Sequence, residues 1–207
     1  MSDAVFPTRI HTSGLHQRKV ELLKKFKRWD YRAPLSLQAT KDLEWWTQNI
    51  QTMNGSSLLP VTPDIKAGTD ASDSGWGAWI EYKQNGVLKT LRFGGKFTTQ
   101  ESEEHINYKE MLAVKFLLQS CPSQVKNKVI DLGVDNTATV WGIRKYGSKS
   151  RMLNLLTAEI WEITRLKNCV LQATHVPGVQ NVVADERVQE PLVPSGLETT
   201  SQVVQSR

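Results

Sequence analysis

Apolar positions along this 207-residue chain follow two different periods, and the switch between them divides it. In residues 15–53 they recur at helical spacing. Val20, Leu23 and Phe26, with the nearby Leu22 and Trp29, fall on roughly one face. A second helix is expected from about Leu37 to Gln51, where Leu43, Trp46 and Ile50 are spaced i, i+3, i+7, and Pro34 marks the break between the two. Asn54-Gly55-Ser56-Ser57 reads as a turn or linker, extended by Pro60 and Pro63. Strand signals then take over. Ile65 to Ala71 reads as a first strand, Gly75 to Tyr82 as a second, and Val87 to Phe93 as a third. Asn85-Gly86 between the last two accepts the positive φ angles of a tight hairpin.

Beyond the hairpin, helices and strands alternate. A helix is expected from about Asn107 to Gln119, with Met111, Val114 and Leu118 on one face. Lys128 to Val134 reads as a fourth strand and Cys169 to His175 as a fifth. Helices Thr137–Tyr146 and Arg151–Leu166 lie between them, and a last helix is expected over Val182–Gln189. The order β-β-β-α-β-α-α-β-α predicts an α/β fold, a mixed five-stranded sheet flanked by helices. The expected organisation is a helical extension over 1–58, a main domain over 59–190 and a disordered tail over 191–207. Residues 1–14 are also expected to be poorly ordered.

Composition narrows the class. An apolar content of 39% suffices for a packed core. No run of eighteen apolar residues exists, so no membrane helix is expected, and the start lacks the apolar stretch of a signal peptide. Cys121 and Cys169 fit no metal-ligand spacing and read as ordinary thiols of an intracellular protein, cytoplasmic or nuclear. The net charge of +5 is uneven. Residues 1–60 carry nine Lys/Arg against five Asp/Glu, with Arg18, Lys19, Lys24, Lys25, Lys27, Arg28 and Arg32 clustered, whereas 61–190 carry sixteen against fifteen. Such a lobe is either a solvated helix face or a grip for a polyanion.

Four acids occupy places where a carboxylate is costly. Asp70 and Asp135 end the first and fourth strands, Glu110 lies in the first turn of an amphipathic helix, and Asp185 opens the last helix. Each alone has a plain explanation as a cap or turn residue. Together they suggest more. If the first and fourth strands are parallel neighbours, Asp70 and Asp135 end side by side, and divalent cations relieve their repulsion. Hard oxygen ligands favour Mg²⁺ or Mn²⁺, and two such ions suit phosphodiester hydrolysis. His175 ends the fifth strand ten residues before Asp185. It either simply terminates the strand or moves protons beside the metals.

These pieces resemble the ribonuclease H domain of retroelement reverse transcriptases, most of all the tyrosine-recombinase (DIRS-type) elements. The resembling motifs are Thr69-Asp70-Ala71-Ser72 with Gly75-Trp76-Gly77-Ala78, Glu104 to Ala113, Val134-Asp135-Asn136-Thr137, His175-Val176-Pro177-Gly178 and Asn181 to Asp185, spanning about 65–188. The resemblance implies that Asp70, Glu110, Asp135 and Asp185 bind two Mg²⁺ and that His175 is the mobile histidine. It places Ser72, Asn107, Asn136 and Thr137 against the substrate, with Asn107 near the RNA 2′-hydroxyl. The implied reaction is cleavage of the RNA strand of an RNA–DNA hybrid. Residues 15–53, with Asp42-Leu43-Glu44-Trp45-Trp46, resemble the segment joining such domains to the polymerase, their implied partner. Lys24, Lys25, Lys27 and Arg28 would grip the hybrid there.

Departures are visible. The chain has no Tyr-x-Asp-Asp polymerase motif. Glu186-Arg187 follows Asp185 where the family runs Leu-Ser-Arg-like, and Tyr146 to Ser150 is too short for a basic handle helix. Trp45 and Trp46 read as base-stacking platforms or as core, with Trp46 favoured for core. A catalytically silent connection-type module, a DNA-directed nuclease of the same fold and a decayed element fragment are the rival readings.

Overall fold

The computed structural model describes residues 8–53, 61–121, 123–148 and 150–177. Five strands form one mixed sheet: β1 (Ile65–Ala71), β2 (Gly75–Gln84), β3 (Val87–Lys96), β4 (Val129–Val134) and β5 (Val170–His175), in the spatial order β3-β2-β1-β4-β5. The first three run antiparallel, and β4 and β5 add in parallel to β1. The β2–β3 turn is the expected one, with Asn85 at φ 53° and Gly86 at φ 78°. Central β1 is buried along almost its whole length, whereas edge strand β3 is largely exposed and carries Lys89 and Arg92 outward, as an edge must to avoid pairing with other chains.

Six helices complete the described fold: α1 (Ser13–Phe26), α2 (Leu37–Met53), α3 (Thr99–Ser102), α4 (Ile106–Ser120), α5 (Thr137–Lys145) and α6 (Arg151–Lys167). Helices α4, α5 and α6 pack on one another, with α4 against β1 and β2 and α5 against β4 and β5. Their shared core includes Met111, Val114, Leu118, Ile143, Leu156 and Ile160, set against Ile80, Ile130 and Leu132 of the sheet. The expected α/β architecture is therefore present, and α6 follows α5 after a short connection with no helix between them among the described residues. Cys121 and Cys169 are buried free thiols. No described helix is long and apolar enough to cross a membrane. The expected last helix at Val182–Gln189 lies outside the described residues.

The N-terminal segment departs from its sequence reading. Residues 8–14 are ordered: a 3-10 turn at Ile10–Thr12 leads directly into α1. The reason is aromatic. The His11 ring stacks on Trp45 at 3.7 Å and meets Trp161 of α6 edge-on, while Trp46 Nε1 donates to the His11 carbonyl at 2.7 Å. Trp45 thus spends a ring face on His11 instead of offering it to a base, and Trp46 packs as favoured. Apolar spacing also chose the wrong face of α2. Leu43 and Ile50 are exposed, and the buried positions are Ala39 and Asp42. On α1 the left-handed Lys27 ends the helix, leaving Trp29 80% exposed beyond it.

Asp42 explains the choice of face. It is 1% exposed and accepts from the Gly14 and Leu15 amides at 2.8 and 3.2 Å, satisfying two donors that the start of α1 cannot pair internally. Asp42→Ala is expected to lower stability by about 1–2 kcal/mol through loss of this cap. The check is an earlier urea midpoint in tryptophan fluorescence, set against an unchanged midpoint for an exposed control such as Glu44→Ala.

Candidate metal centre and nucleic-acid interface

The parallel pairing of β1 with β4 aligns Thr69 with Val134, so the next residues, Asp70 and Asp135, stand side by side where that pairing ends. On the other flank Asp70 faces Gly77 of β2, which has no side chain to cover it. Helix α4 supplies the third acid. His105 caps it by accepting from the Asn107 amide, so the helix begins at Ile106 and Glu110 sits one turn in, slightly deeper than the first turn expected. Carboxylate oxygens of Asp70, Glu110 and Asp135 all lie within 4.8 Å of one another.

These are expensive neighbours. Asp70 is 7% and Glu110 3% exposed. Burial first, then the fields of Asp135 and Asp70, push the Glu110 carboxyl up to about 9, with the Ala71 amide pulling the other way. Glu110 Oε2 is buried without a hydrogen-bond partner. A protein interior seldom tolerates an orphaned carboxylate oxygen, and a divalent cation would satisfy it and discharge the repulsion together. The donor set is all oxygen, which fits Mg²⁺ or Mn²⁺.

The other expected site residues divide into groups. His175 is exposed at the end of β5, and its Nε2 lies 3.0 Å from the Asp135 carbonyl, which ties it to the strand end that carries the third acid. Asn136 caps α5 by accepting from the Thr139 amide and donates through Nδ2 to Asn107 Oδ1 at 2.8 Å, so these two are one bridge between α5 and α4. Thr137 is exposed at the first position of α5. The Ser72 hydroxyl is engaged in the β1–β2 turn, where it accepts from the Gly75 amide. Lys24, Lys25, Lys27 and Arg28 are exposed at the far end of α1, which packs on α2, and Arg28 pairs with Asp30. The structure does not bring these cations into contact with the carboxylates. Asp185 lies outside the described residues.

Sequence reading passed over Lys109. It is 3% exposed, and its Nζ donates to the carbonyl and carboxylate of Asp73, both at 3.2 Å. It therefore fastens the turn that follows Asp70 to the helix that carries Glu110. A lysine beside a helical acid reads as surface charge, so spacing alone offered no signal for this role.

Residues 62–158 match the family described as "RNase H-like domain found in reverse transcriptase". Over that stretch the chain is similar to the RNase H-like domains found in reverse transcriptases. The enzymatic polyprotein of Figwort mosaic virus (strain DxS) is 28% identical over 200 residues, 87% of this chain, and the chain spans 29% of that polyprotein. Among solved structures, RNase H1 from the halophilic archaeon Halobacterium salinarum NRC-1 is similar at 17% identity and TM-score 0.47, covering 59% of this chain and 92% of that one. The foamy viral protease-reverse transcriptase in complex with RNA/DNA hybrid is similar at 10% identity and TM-score 0.42, over 89% of this chain and 29% of that one.

Proposed function

We propose that the chain is a divalent-cation-dependent ribonuclease H that hydrolyses the RNA strand of RNA–DNA hybrids, working beside the polymerase of a reverse transcriptase in a retroelement of DIRS type or a related kind. The observation that carries this reading is the convergence of Asp70, Glu110 and Asp135 from two strands and one helix within 4.8 Å, with a buried Glu110 oxygen lacking any partner. The matched family and the filled acidic positions favour a working nuclease over a silent connection module.

Asp70, Glu110 and Asp135, with Asp185 from the chain beyond β5, would hold two Mg²⁺ or Mn²⁺. Bound there, these cations supply a nucleophilic water and charge neutralisation at the scissile phosphate. The chain's own groups do the rest. Asp70, shared at the centre, sets the spacing of the acids. The Asn107–Asn136 bridge presents polar groups beside the cluster, suited to the 2′-hydroxyl that marks RNA. His175, in the Nε2–H tautomer, donates to the Asp135 carbonyl and leaves Nδ1 available to move a proton at the rim. Expected products carry a 5′-phosphate and a 3′-hydroxyl.

The test is incubation of the chain with a labelled RNA–DNA hybrid, duplex RNA and duplex DNA, with Mg²⁺, with Mn²⁺ and with EDTA. Cleavage of the hybrid's RNA strand alone, abolished by EDTA, is the expected result. Cutting of duplex DNA instead would replace this reading with that of a DNA nuclease, and binding of the hybrid without cutting would replace it with that of a silent module.

A further inference from the structure

Lys109 is the one buried cation among the described residues, where the other buried charges are Asp42, Asp70 and Glu110. Its ion-pair partner, Asp73, is fully exposed. Stability does not account for this arrangement. Taking an ammonium out of water is costly, and a pair with one member in solvent returns little of that cost. An apolar side chain of the same length would serve the packing as well.

Its placement gives another account. Lys109 immediately precedes Glu110 on α4, and Asp73 follows Asp70 by three residues beyond the end of β1. Lys109 Nζ donates to the Asp73 carbonyl and carboxylate, and so joins the carriers of two of the three acids. The turn that it grips is stiff. The Ser72 amide donates to the Gly75 carbonyl at 2.8 Å, and the Ser72 hydroxyl accepts from the Ser74 and Gly75 amides. The Phe97 amide closes the far side by donating to the Ser74 carbonyl at 2.9 Å. A displacement of Asp73 is therefore passed back to Asp70 rather than absorbed. The load comes from the acids, whose repulsion at such close range drives α4 and the end of β1 apart. The Ala71 amide also ties these two elements, but it does so through the Glu110 carboxyl itself. Lys109 ties them through the turn and leaves the carboxylates of the cluster open.

We propose that Lys109 is a positioning residue of the metal centre: by clamping the Ser72–Asp73 turn to α4 it holds Asp70 and Glu110 at the spacing that divalent cations need, and so sets metal affinity without touching metal or hybrid. This rests on the divalent-cation reading above. Groups that orient metal ligands from outside the coordination sphere commonly matter to affinity nearly as much as the ligands do.

The test measures Mn²⁺ binding by calorimetry, and hybrid cleavage across a Mg²⁺ series, for the full chain and for Lys109→Met, Asp73→Ala and Lys115→Met. Lys115 lies on the same helix but pairs with Glu159 of α6 at 2.6 Å, so its variant reports the packing of α4 apart from the turn. Circular dichroism checks that each variant folds. Lys109→Met is expected to weaken Mn²⁺ binding about tenfold or more and to raise the Mg²⁺ needed for half-maximal cleavage by the same factor. Saturating Mg²⁺ should restore kcat, with KM for the hybrid at its wild-type value throughout. Asp73→Ala keeps the carbonyl acceptor and should weaken Mn²⁺ binding about threefold, as for one modest hydrogen bond. Lys115→Met should bind as wild type. Wild-type Mn²⁺ affinity in Lys109→Met, an equal weakening in Lys115→Met, or a raised KM at saturating metal overturns the proposal. If Lys109→Met does not fold, Asp73→Ala decides, because that position is fully exposed, and wild-type affinity there overturns the clamp. A wild-type chain that binds Mn²⁺ but cuts no hybrid removes the nuclease reading and leaves the clamp to the binding series. A chain that binds no divalent cation removes both.

Discussion

An Asp70→Asn chain is expected to lose hybrid cleavage by on the order of a thousandfold and, without metal, to melt higher than wild type. Both effects come from one charge. Asp70 lies next to last in β1, between β2 and β4, the position from which a single carboxylate reaches both Glu110 and Asp135. Asparagine has the same shape, so strand pairing and the Ser72 turn persist. The hold on divalent cations does not, and the water that must attack loses its activation. Meanwhile the negative charge that faces Asp135 across the β1–β4 pair is gone. The gain should be about 1–2 kcal/mol, a shift of a few degrees in Tm. Adding Mg²⁺ should then raise the wild-type Tm and leave the variant's unchanged, because only the chain that binds the ion gains by mass action. Equal turnover by the two chains, or a metal-free variant that melts lower than wild type, contradicts the assignment of Asp70.

Such opposition between stability and activity shows why the site was partly legible beforehand. Acids at strand ends are visible because the flanking residues are apolar: Asp135 follows Val134, and Asp70 sits in a strand buried on both faces. Strand order then decides whether they meet, and the parallel β1–β4 pair brings Asp70 and Asp135 together. What stayed illegible depended on polar groups with distant partners. Asp42 reads as a solvated helix residue until α1 is placed 28 positions away to donate to it. Lys109 reads as surface charge until the β1–β2 turn folds over it. The N-terminal residues read as loose because nothing local orders them. Their order comes from Trp45, Trp46 and Trp161, which lie far along the chain. Periodicity reports which face is apolar, and on α2 the buried face is anchored by a carboxylate, so the rule chose Leu43 and Ile50 wrongly.

Stability of the metal-free chain is expected to fall as pH rises from about 6.5 to about 9. Glu110 carries the effect. Its folded carboxyl titrates near 9 and its unfolded one near the ordinary 4.5. Below 4.5 both states hold the proton and the site adds no slope. Between the two values the unfolded chain has released its proton while the folded chain keeps it, so each rise in pH favours unfolding. Above 9 both are ionised and the slope ends. His11 has the opposite sign. Burial first lowers its folded value to about 4, against the fields of Asp42 and Glu162, so the folded state is penalised as pH drops from 6.5 toward 4. The two effects oppose each other between 4.5 and 6.5, which leaves the range from 6.5 to about 8 to Glu110, before the buried Cys121 and Cys169 thiols, also pushed up by burial, add losses of the same sign. At about 1.4 kcal/mol per pH unit, an upper slope for one proton, the loss there is roughly 2 kcal/mol. Urea midpoints at pH 6.5, 7.5 and 8 in EDTA measure it directly. Glu110→Gln should abolish the decline, and saturating Mg²⁺ should flatten it in wild type, because a cation held by the ionised carboxylates takes the place of the proton. An EDTA series with no decline in wild type, or with the same decline in Glu110→Gln, would mean that the Glu110 carboxyl is not held protonated by its neighbours, and the close-packed acidic cluster would lose its main energetic signature.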